Sequence, residues 1–515
     1  MHAISTRTRR MRAGVAARIA ALSLAVLTVL GLAACAPPAR SSGDAGTLVY
    51  GLVGSANDRI SPWPLQRNVS QTVLGEQVFE GLTRWGADGS LQWDLAVSME
   101  PEQGLDEWTI RLRPGVRFHD GSPLTADDVI YSIRWMIDPA NQYSPATNIS
   151  MVDPAGLSRV DEHTLRVRLT QPYGPFPQLW AFNRLLIARD GAGPESMIGT
   201  GPFAVASFAA QQEAVLKRFE DYWGTKPGFA QLRMLNFPDQ DAMVNALRAG
   251  QIDIADAVPF TQIASLAAEQ SLATLESAVL GGPMIGMRTD VAPFSDPRVR
   301  EAFRLIVDRK QVLSNAFSGY GEVGNDINVR STACAAPSVP QREQDVERAK
   351  ALLAEAGVSG LNIDLTTDGL APGMMELAQL FAQQAAKAGV TVNVRKLDVA
   401  EFVSKYREWP LAIGLSGDDY LSMIPAYYQP GGGQNLTRFD DAEYNALAAS
   451  LRLTTDPQGQ CALVTQMLQI QYERGGDIMP VYFNSVVVHN VRVHGLTADR
   501  NGRAAYNFRG VTLVG

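Results

Sequence analysis

The stretch from Leu361 to Arg395 reads LNIDLTTDGLAPGMMELAQLFAQQAAKAGVTVNVR and decides the fold class. Its first residues, 361–366, alternate apolar and polar side chains as a half-buried strand does. Residues 374–387 then place apolar groups at helical spacing until Gly389 ends the helix, and residues 390–395 read as a second strand. This order forms a βαβ unit, which requires parallel strands with the helix packed on the sheet. The sequence therefore predicts an α/β fold.

An acidic turn follows the same unit along the chain. A helix at 400–408 leads to a short apolar strand, 411–415, and then to the turn Gly417-Asp418-Asp419-Tyr420. In open α/β sheets, ligands bind in the crevice at the carboxyl ends of the strands. The turn is therefore the most interesting polar site in the chain.

The chain before this region opens with a predicted strand at 48–53 and an irregular loop at 54–68. Trp63 lies in this loop between two prolines, Pro62 and Pro64. An aromatic residue in such a loop suits a position facing a ligand. The alternative is a loop aromatic that packs against its own domain.

Residues 108–113 alternate as a half-buried strand, and we expect them to form a hairpin with 116–119 across the turn at Pro114 and Gly115. Thr125 and Asp128, three residues apart, have the spacing of a capping box and predict a helix start.

The first 34 residues have the features of an export signal. A basic stretch without acids precedes an apolar run, Ile19 to Leu30, that is too short to span a bilayer comfortably. Leu32-Ala33-Ala34-Cys35 then looks like the lipobox of bacterial lipoproteins, in which Cys35 becomes the lipidated first residue of the mature chain. The small and polar residues 36–46 read as a flexible tether. We expect an extracytoplasmic protein that lipid holds at the cell membrane.

Charge excludes two classes of partner. The whole chain carries a formal net charge of −8, and removal of residues 1–34 lowers Lys+Arg from 45 to 40 against 53 acids, or about −13. Nucleic acids and anionic lipid surfaces favour basic patches. We therefore predict neither of them as a partner.

Two cysteines remain besides Cys35. Cys334 and Cys461 are an even number in a compartment that permits disulfides, so a bridge is possible. Two unrelated buried thiols are the alternative, because sequence does not show whether their Cα atoms approach within roughly 7 Å.

No motif in the sequence indicates an enzyme. The chain has no H-E-x-x-H, no G-x-S-x-G and no phosphate-binding loop, so we predict neither catalysis nor a cofactor. His489 and His494 could be considered as nickel ligands. Their odd spacing on a strand turns them to opposite faces, so no metal site is predicted.

Many separate blocks resemble, in one order, the bacterial extracellular solute-binding proteins of family 5, the class that includes peptide-binding and nickel-binding members. The resemblance spans nearly the whole mature chain, and most of these blocks fix turns and helix starts. The blocks are Phe79–Arg84, Arg113–Gly121, Pro123–Val129, Gly199–Phe203, Asp221–Gly224, Gly250–Ile254, Phe294–Arg300 with Asp308 and Arg309, Ala349–Gly357, and Pro480–Tyr482.

The resemblance implies a two-lobed periplasmic-binding-protein fold of type II with a small inserted domain. Its function would be to capture a solute between the lobes and deliver it to the permease subunits of an ABC importer with a cytoplasmic ATPase. We expect a monomer with a hinge where the chain crosses between lobes. The expected domains are a signal peptide (1–34), a tether (35–43), lobe I (44–79, 199–288 and 483–515), an inserted domain (80–198) and lobe II (289–482).

The resemblance also implies site residues. In peptide-binding relatives an Asp in a short Asp-Tyr turn neutralises the ammonium of the peptide, and Asp419-Tyr420 matches this turn, with Asp418 as the alternate register. Asn435 stands where relatives place a ligand-contacting Asn, and Tyr482 where an aromatic residue lines the cleft. With Trp63, these are the candidate ligand-binding residues.

One departure leaves the ligand open. Many tripeptide-binding relatives carry an Arg shortly before the Asp, whereas 411–415 has no cation. An oligopeptide or dipeptide is the expected ligand, and a modified peptide, a sugar or a nickel chelate remain alternatives. A lipid-anchored chaperone or adhesion protein on the same fold is the rival function, which would lack a deep cleft between lobes.

Overall fold

The computed structural model describes residues 46–54, 57–64, 69–182, 185–255, 258–279, 281–327, 334, 336–369, 371–416, 419–499 and 506–514. Gly46–Gly515 forms one compact unit. No helix in these described ranges combines the length and the apolar character needed to cross a bilayer.

Strands and helices alternate along the unit. The strands are β1 (Thr47–Val53), β2 (Thr83–Trp85), β3 (Leu91–Trp93), β4 (Ala96–Pro101), β5 (Glu107–Leu112), β6 (Val152–Asp161), β7 (Thr164–Leu169), β8 (Phe203–Ala209), β9 (Glu213–Arg218), β10 (Gln231–Phe237), β11 (Ile254–Ala255), β12 (Leu272–Ala278), β13 (Gly282–Met287), β14 (Gly321–Val323), β15 (Asn362–Thr367), β16 (Thr391–Lys396), β17 (Leu411–Ser416), β18 (Asp477–Ile478), β19 (Val481–Asn490), β20 (Val493–His494) and β21 (Thr512–Leu513). The helices are α1 (Val69–Val78), α2 (Ala126–Ile137), α3 (Phe176–Leu179), α4 (Gln240–Arg248), α5 (Phe260–Ala267), α6 (Pro297–Ile306), α7 (Arg309–Ala316), α8 (Val346–Glu355), α9 (Met374–Lys387), α10 (Val399–Ser404), α11 (Tyr420–Met423), α12 (Ala442–Arg452) and α13 (Pro457–Arg474). A π-helical turn, Ile424–Tyr428, continues α11, and 3₁₀ turns span Pro139–Asn141 and Ser144–Ile149.

The first large sheet has the strand order β12-β19-β11-β1-β10-β9-β8, and β14 also pairs with β19. β1 runs parallel to β10 and β11, whereas β19 runs antiparallel to β11 and β12. Because β1 opens the unit and β19 lies near its end, this sheet is assembled from both ends of the chain.

The second large sheet has the order β16-β15-β17-β13-β18. β15 and β16 pair in parallel on either side of α9 in the chain, so the βαβ unit predicted from 361–395 is confirmed. β17, the middle strand, is parallel to β15 and antiparallel to β13. The mixed α/β fold predicted from the sequence is therefore correct.

One predicted boundary needs correction. The sequence placed residues up to 288 in lobe I, but β13 pairs along its whole length with β17, from Gly282 opposite Ser416 to Met287 opposite Leu411. This pairing places β13 in the second sheet, so the chain leaves the first sheet before Gly282. The remaining domain limits stay predictions.

Apart from the short strand β14, which pairs with β19, the chain passes from the first sheet to the second between β12 and β13 and returns between β18 and β19. These two crossings lie side by side: a Cβ at position 282 would stand 2.4 Å from the carbonyl oxygen of Val481. A Cβ at position 324 would stand 2.2 Å from the carbonyl oxygen of Met479. Because neither distance leaves room for a side-chain atom, only glycine fits at these two positions.

A separate four-stranded sheet, in the order β4-β5-β7-β6, lies within residues 96–169. The hairpin predicted between 108–113 and 116–119 is wrong, because β4 and β7 occupy the two edges of β5. Residues 116–119 turn back on the following segment, where Arg117 bridges Pro123.

The predicted start of α2 is confirmed. The backbone N–H and the hydroxyl of Thr125 both donate to Asp128 Oδ2, at 2.7 and 2.8 Å, in a capping box. Helix α2 packs against β6, and its buried residues join a core that also holds Trp63 and Trp180.

The structure joins Cys334 and Cys461 by a disulfide that closes 127 residues of chain. Cys461 lies on α13, and both cysteines belong to the hydrophobic cluster that contains Tyr420 and Tyr444. Of the two alternatives left open by the sequence, the bridge describes this structure.

The buried carboxylate of Asp326 connects three separate segments of the chain. Asp326 Oδ2 accepts hydrogen bonds from Arg309 and Arg342, both at 2.6 Å, and its Oδ1 accepts from the Met479 N–H at 3.0 Å. Burial alone would raise the pKa of Asp326, but the guanidinium groups of Arg309, Arg342 and Arg304 hold that pKa below its usual value. Asp326 therefore stabilises the fold only while it is ionised.

We predict that Asp326→Asn lowers the free energy of unfolding by roughly 3–5 kcal/mol, because it leaves buried guanidinium groups without a counter-charge. The matched control is Asp364→Asn, whose partner Arg395 forms an exposed pair and should contribute under about 1 kcal/mol. Urea unfolding measures the free energy of unfolding of both variants. Equal losses of unfolding free energy in Asp326→Asn and Asp364→Asn would contradict the stabilising role of Asp326.

The stabilisation by Asp326 also depends on pH. Because the pKa of Asp326 is lowered in the folded state, its contribution to the free energy of unfolding is present above the ordinary carboxyl pKa. That contribution is lost as the pH falls through the lowered value.

Candidate ligand-binding site

Asp419 lies just beyond the carboxyl end of β17, the middle strand of the second sheet, and precedes α11. Only 4% of the residue is exposed. Its Oδ1 accepts the Leu421 N–H at 3.0 Å, and its carbonyl oxygen accepts the Ser422 hydroxyl at 2.7 Å. The carboxylate is therefore held in a fixed orientation inside the protein. Asp418, the alternate register, lies outside the described residues.

Tyr420 anchors this turn to the helices behind it. Its hydroxyl lies 2.8 Å from the hydroxyl of Tyr444 and donates to Gln471 Oε1 at 3.1 Å, and its ring stacks on Tyr428 at 5.3 Å between centroids. Burial raises the pKa of Tyr420 well above its usual value, so the phenol stays neutral. Its hydroxyl thus contacts α12 and α13, and a ligand contact of Tyr420 stays a prediction.

Asn435 shapes the loop that carries the glycine run Gly431 to Gly433. Its amide N–H groups donate to the carbonyl oxygens of Gln429 and Phe439, at 3.1 and 3.0 Å. Its Oδ1 accepts from the Phe439 N–H at 3.1 Å and from the Thr437 hydroxyl at 3.4 Å. These four bonds use the whole capacity of the amide, so the predicted ligand contact through Asn435 is not supported.

Tyr482 lies where the chain returns from the second sheet to the first. Its hydroxyl donates to the carbonyl oxygen of Ile327 at 2.6 Å, and 7% of the residue is exposed. The ring packs in a cluster with Met284, Leu436 and Met479. The structure gives Tyr482 a packing role beside the crossing, and a contact with ligand stays a prediction.

Trp63 is buried in an apolar core, and its contact with a ligand stays a prediction. Only 1% of Trp63 is exposed, and its indole N–H donates to the carbonyl oxygen of Leu186 at 3.0 Å. Its ring stacks on Trp135 with 4.1 Å between centroids. The alternative interpretation, an aromatic loop residue packed on its own domain, describes the structure, because an apolar core was available beside the loop.

Two cavities accompany these residues, and neither of them is lined by Asp419, Tyr482 or Trp63 among the described residues. The larger, about 680 Å³, lies between residues of the segment 136–173 and residues of 425–452. Arg452 lines it and donates to Gln171 Oε1 at 3.2 Å and to Gln429 Oε1 at 2.8 Å. The sequence analysis did not identify Arg452 as a candidate, because Arg452 lies on α12, away from the Asp419 turn in the sequence.

Histidines contribute no metal site in the described residues, where no group of three or more His, Cys, Asp or Glu side chains could hold an ion. His489 Nδ1 lies 3.0 Å from the carbonyl oxygen of Asn490, and burial lowers the pKa of this imidazole. His489 is thus a packed histidine of β19.

The chain is similar to known binding proteins over most of its length. It is 28% identical over 432 residues to di/tripeptide-binding protein 2 of Pseudomonas aeruginosa, which covers 74% of this chain and 78% of that protein. It is 26% identical over 502 residues to the glutathione-binding protein GsiB of Shigella dysenteriae, which covers 92% and 95% of the two chains.

The fold is similar to that of a solved structure, the ABC transporter-associated periplasmic binding protein DppA of Helicobacter pylori in complex with the peptide STSA. The TM-score is 0.81 at 19% identity, and the match covers 91% of this chain and 98% of that one. Residues 90–437 match the sequence profile of one family across its middle region. This chain belongs to the bacterial extracellular solute-binding proteins of family 5.

Proposed function

We propose that this protein captures a short peptide outside the cytoplasm and delivers it to the permease subunits of an ABC importer. The observation that carries the proposal is the buried carboxylate of Asp419 at the carboxyl end of the middle strand of the second sheet. The similar proteins whose names record a ligand of peptide character give the proposal its second support.

A free peptide carries an ammonium group, and burying that charge is costly unless a carboxylate neutralises it. Asp419 supplies such a carboxylate on the protein side, and its bond to the Leu421 N–H fixes the orientation in which it meets the ligand. A charged contact of this kind selects ligands with a free amino terminus. It places little restriction on the side chains that follow.

The two large sheets are the centres of the two proposed lobes. Lobe I comprises 44–79, 199 to the crossing before Gly282, and 483–515, and lobe II runs from Gly282 to 482. Residues 80–198 form the inserted domain. Ligand closes the lobes about the paired crossings, and the closed form, as a monomer, docks on the permease.

The same proposal places the protein outside the cytoplasm with a lipid on Cys35. The signal and lipobox of residues 1–35 support export, and the tether leaves the body free to reach the permease. The net negative charge of the chain, −8, agrees with a partner other than nucleic acid. Catalysis and a cofactor are not part of this function.

We predict that Asp419→Asn weakens the binding of dipeptides, tripeptides and glutathione about 10- to 100-fold, because a hydrogen bond to a charged group is worth about 1.5–3 kcal/mol. Calorimetry on protein freed of bound ligand by unfolding and refolding measures the change. N-acetylated forms of the same peptides should bind wild type weakly and should not respond to the substitution.

The matched control is Asp440→Asn, since Asp440 is an exposed carboxylate of the same lobe that accepts from Asn445. It should leave peptide affinity unchanged. Equal peptide affinity in wild type and Asp419→Asn overturns the ammonium contact and leaves peptide capture standing. Binding of a sugar or a nickel chelate, with no binding of peptide, overturns the proposed ligand class.

We predict that Cys35→Ala abolishes incorporation of labelled palmitate and moves the protein from the membrane fraction to the soluble extracytoplasmic fraction. Without the thiol no thioether to the lipid can form, while the body of the protein is unchanged. Ser42→Ala, in the tether, is the control and should stay in the membrane fraction. Labelled protein in the Cys35→Ala strain would show that the anchor lies elsewhere.

A further inference from the structure

Residues of the inserted domain contact the second lobe at a place separate from the two chain crossings. The Gly174 N–H donates to the carbonyl oxygen of Arg452. The Arg452 guanidinium donates in the opposite direction, to Gln171 Oε1 at 3.2 Å. We call this meeting of residues 171–174 with residues 452–454 the Gly174 contact.

The two backbones approach each other closely at the Gly174 contact. A Cβ at position 174 would stand 2.5 Å from the carbonyl oxygen of Thr454 and 3.3 Å from that of Arg452. Gly174 has no left-handed φ, so its own backbone accepts a side chain without strain. A side chain at position 174 is therefore obstructed first by the second lobe, and the contact in this form requires glycine.

The inserted domain is attached to the first lobe by a buried carboxylate. Glu80 Oε1 accepts from the Tyr222 hydroxyl and from Arg509, both at 2.7 Å. Its Oε2 accepts from the Thr200 hydroxyl at 2.8 Å and from the Trp223 indole N–H at 2.9 Å. All four donors belong to the proposed lobe I. Because a buried carboxylate is costly to strip of its donors, the inserted domain moves together with lobe I.

The apolar core shows the same attachment. Trp63, from the loop after β1, stacks on Trp135 and donates to the Leu186 carbonyl oxygen, so a residue of lobe I lies inside the core of the inserted domain. Towards the second lobe the core is interrupted. Tyr173 belongs to the cluster of Trp63, whereas Tyr444 belongs to a different cluster.

The Gly174 contact is built to separate more easily. A cavity of about 680 Å³ lies beside it, between the inserted domain and the second lobe. The acceptors across the contact are neutral amide and carbonyl oxygens, Gln171 is exposed, and Arg452 is only half-buried. Water can replace such bonds at small cost. When the two lobes move apart, this contact opens and the Glu80 attachment holds.

The surroundings of the contact reach the candidate ligand site. Helix α3 of the inserted domain packs against α11, which begins directly after Asp419. The 3₁₀ turn Ser144–Ile149 packs against the π-helical turn Ile424–Tyr428 that continues α11. The arrangement that forms the Gly174 contact thus also fixes the Asp419 turn relative to the inserted domain.

We propose that the Gly174 contact is a latch, which forms when the lobes close and breaks when they open, and which raises ligand affinity without contacting the ligand. This inference rests on the proposed closure of the lobes on a peptide. The latch acts by enlarging the closed fraction of the protein, because the apparent Kd equals the intrinsic Kd divided by that fraction. Peptide and latch therefore stabilise the same form.

The first measurement needs no ligand. Hydrogen exchange with mass spectrometry on the purified full chain compares the Gly174 N–H with the His119 N–H, which donates to the Gly199 carbonyl oxygen between the inserted domain and lobe I. We expect the Gly174 amide to exchange at least about 10-fold faster, because the latch opens while the attachment to lobe I holds. Dipeptides, tripeptides or glutathione should slow this exchange. Equally slow exchange of the two amides in the ligand-free protein overturns the latch.

The second measurement is calorimetry with the same peptides. Gly174→Val should weaken their binding about 10-fold or more, because the side chain holds the contact open. The matched control is Gly193→Val, at an exposed glycine of the inserted domain where an added Cβ meets no atom within 4 Å, and it should leave affinity unchanged. Arg452→Ala, which removes the bond to Gln171, keeps the test valid if Gly174→Val fails to fold.

The outcomes separate the latch from the proposed function. Equal peptide affinity in wild type, Gly174→Val and Arg452→Ala overturns the latch and leaves peptide capture standing. Absence of peptide binding in wild type overturns peptide capture, and the exchange of the Gly174 amide in the ligand-free protein then decides whether the contact opens.

Discussion

The close approach of two backbone crossings is the constraint on which the arrangement of the sheets depends. Gly282, at the start of β13, has no room for a Cβ because the carbonyl oxygen of Val481 fills that space. The same strand then sets the register of β17 from Ser416 to Leu411. The carboxyl end of β17, and with it the position of Asp419, thus depends on a contact that only glycine allows.

Two buried carboxylates, Asp326 and Asp419, are held by different kinds of contact. Asp326 is compensated inside the protein by Arg309 and Arg342 at 2.6 Å, so it needs nothing from outside. Asp419 is also buried, and its Oδ1 accepts from the Leu421 backbone N–H at 3.0 Å, which fixes the orientation of the carboxylate at the end of β17.

Local patterns in the sequence predicted local structure well. The βαβ unit of 361–395 and the capping box of Thr125 and Asp128 follow from residues close together in the chain, so periodicity and spacing suffice to predict them. The hairpin at 108–113 failed because β7, its real neighbour, comes about fifty residues later. The environment of Trp63 stayed open in the sequence for a similar reason: a loop position says nothing about the distant core in which its ring packs.

Site chemistry depends even more on distant contacts. Glu80 and Arg509 are separated by 429 positions, so no local sequence pattern predicts the hydrogen bond between them. The family resemblance pointed to Asp419 because relatives share a short turn, a signal that is local. No such signal existed for Asp94, whose ion pairs with Arg84 and Arg509 form only in the folded protein.

The two buried carboxylates Glu80 and Asp94, which lie near the C-terminal segment, are compensated in different ways. Four donors, from Thr200, Tyr222, Trp223 and Arg509, bond to Glu80 and so tie the C-terminal segment to the residues before β8 and after β9. Asp94 Oδ1 instead lies 3.6 Å from Arg84 Nε and 3.9 Å from Arg509 Nη2, so it is held by charge at ion-pair distances and not by a short hydrogen bond.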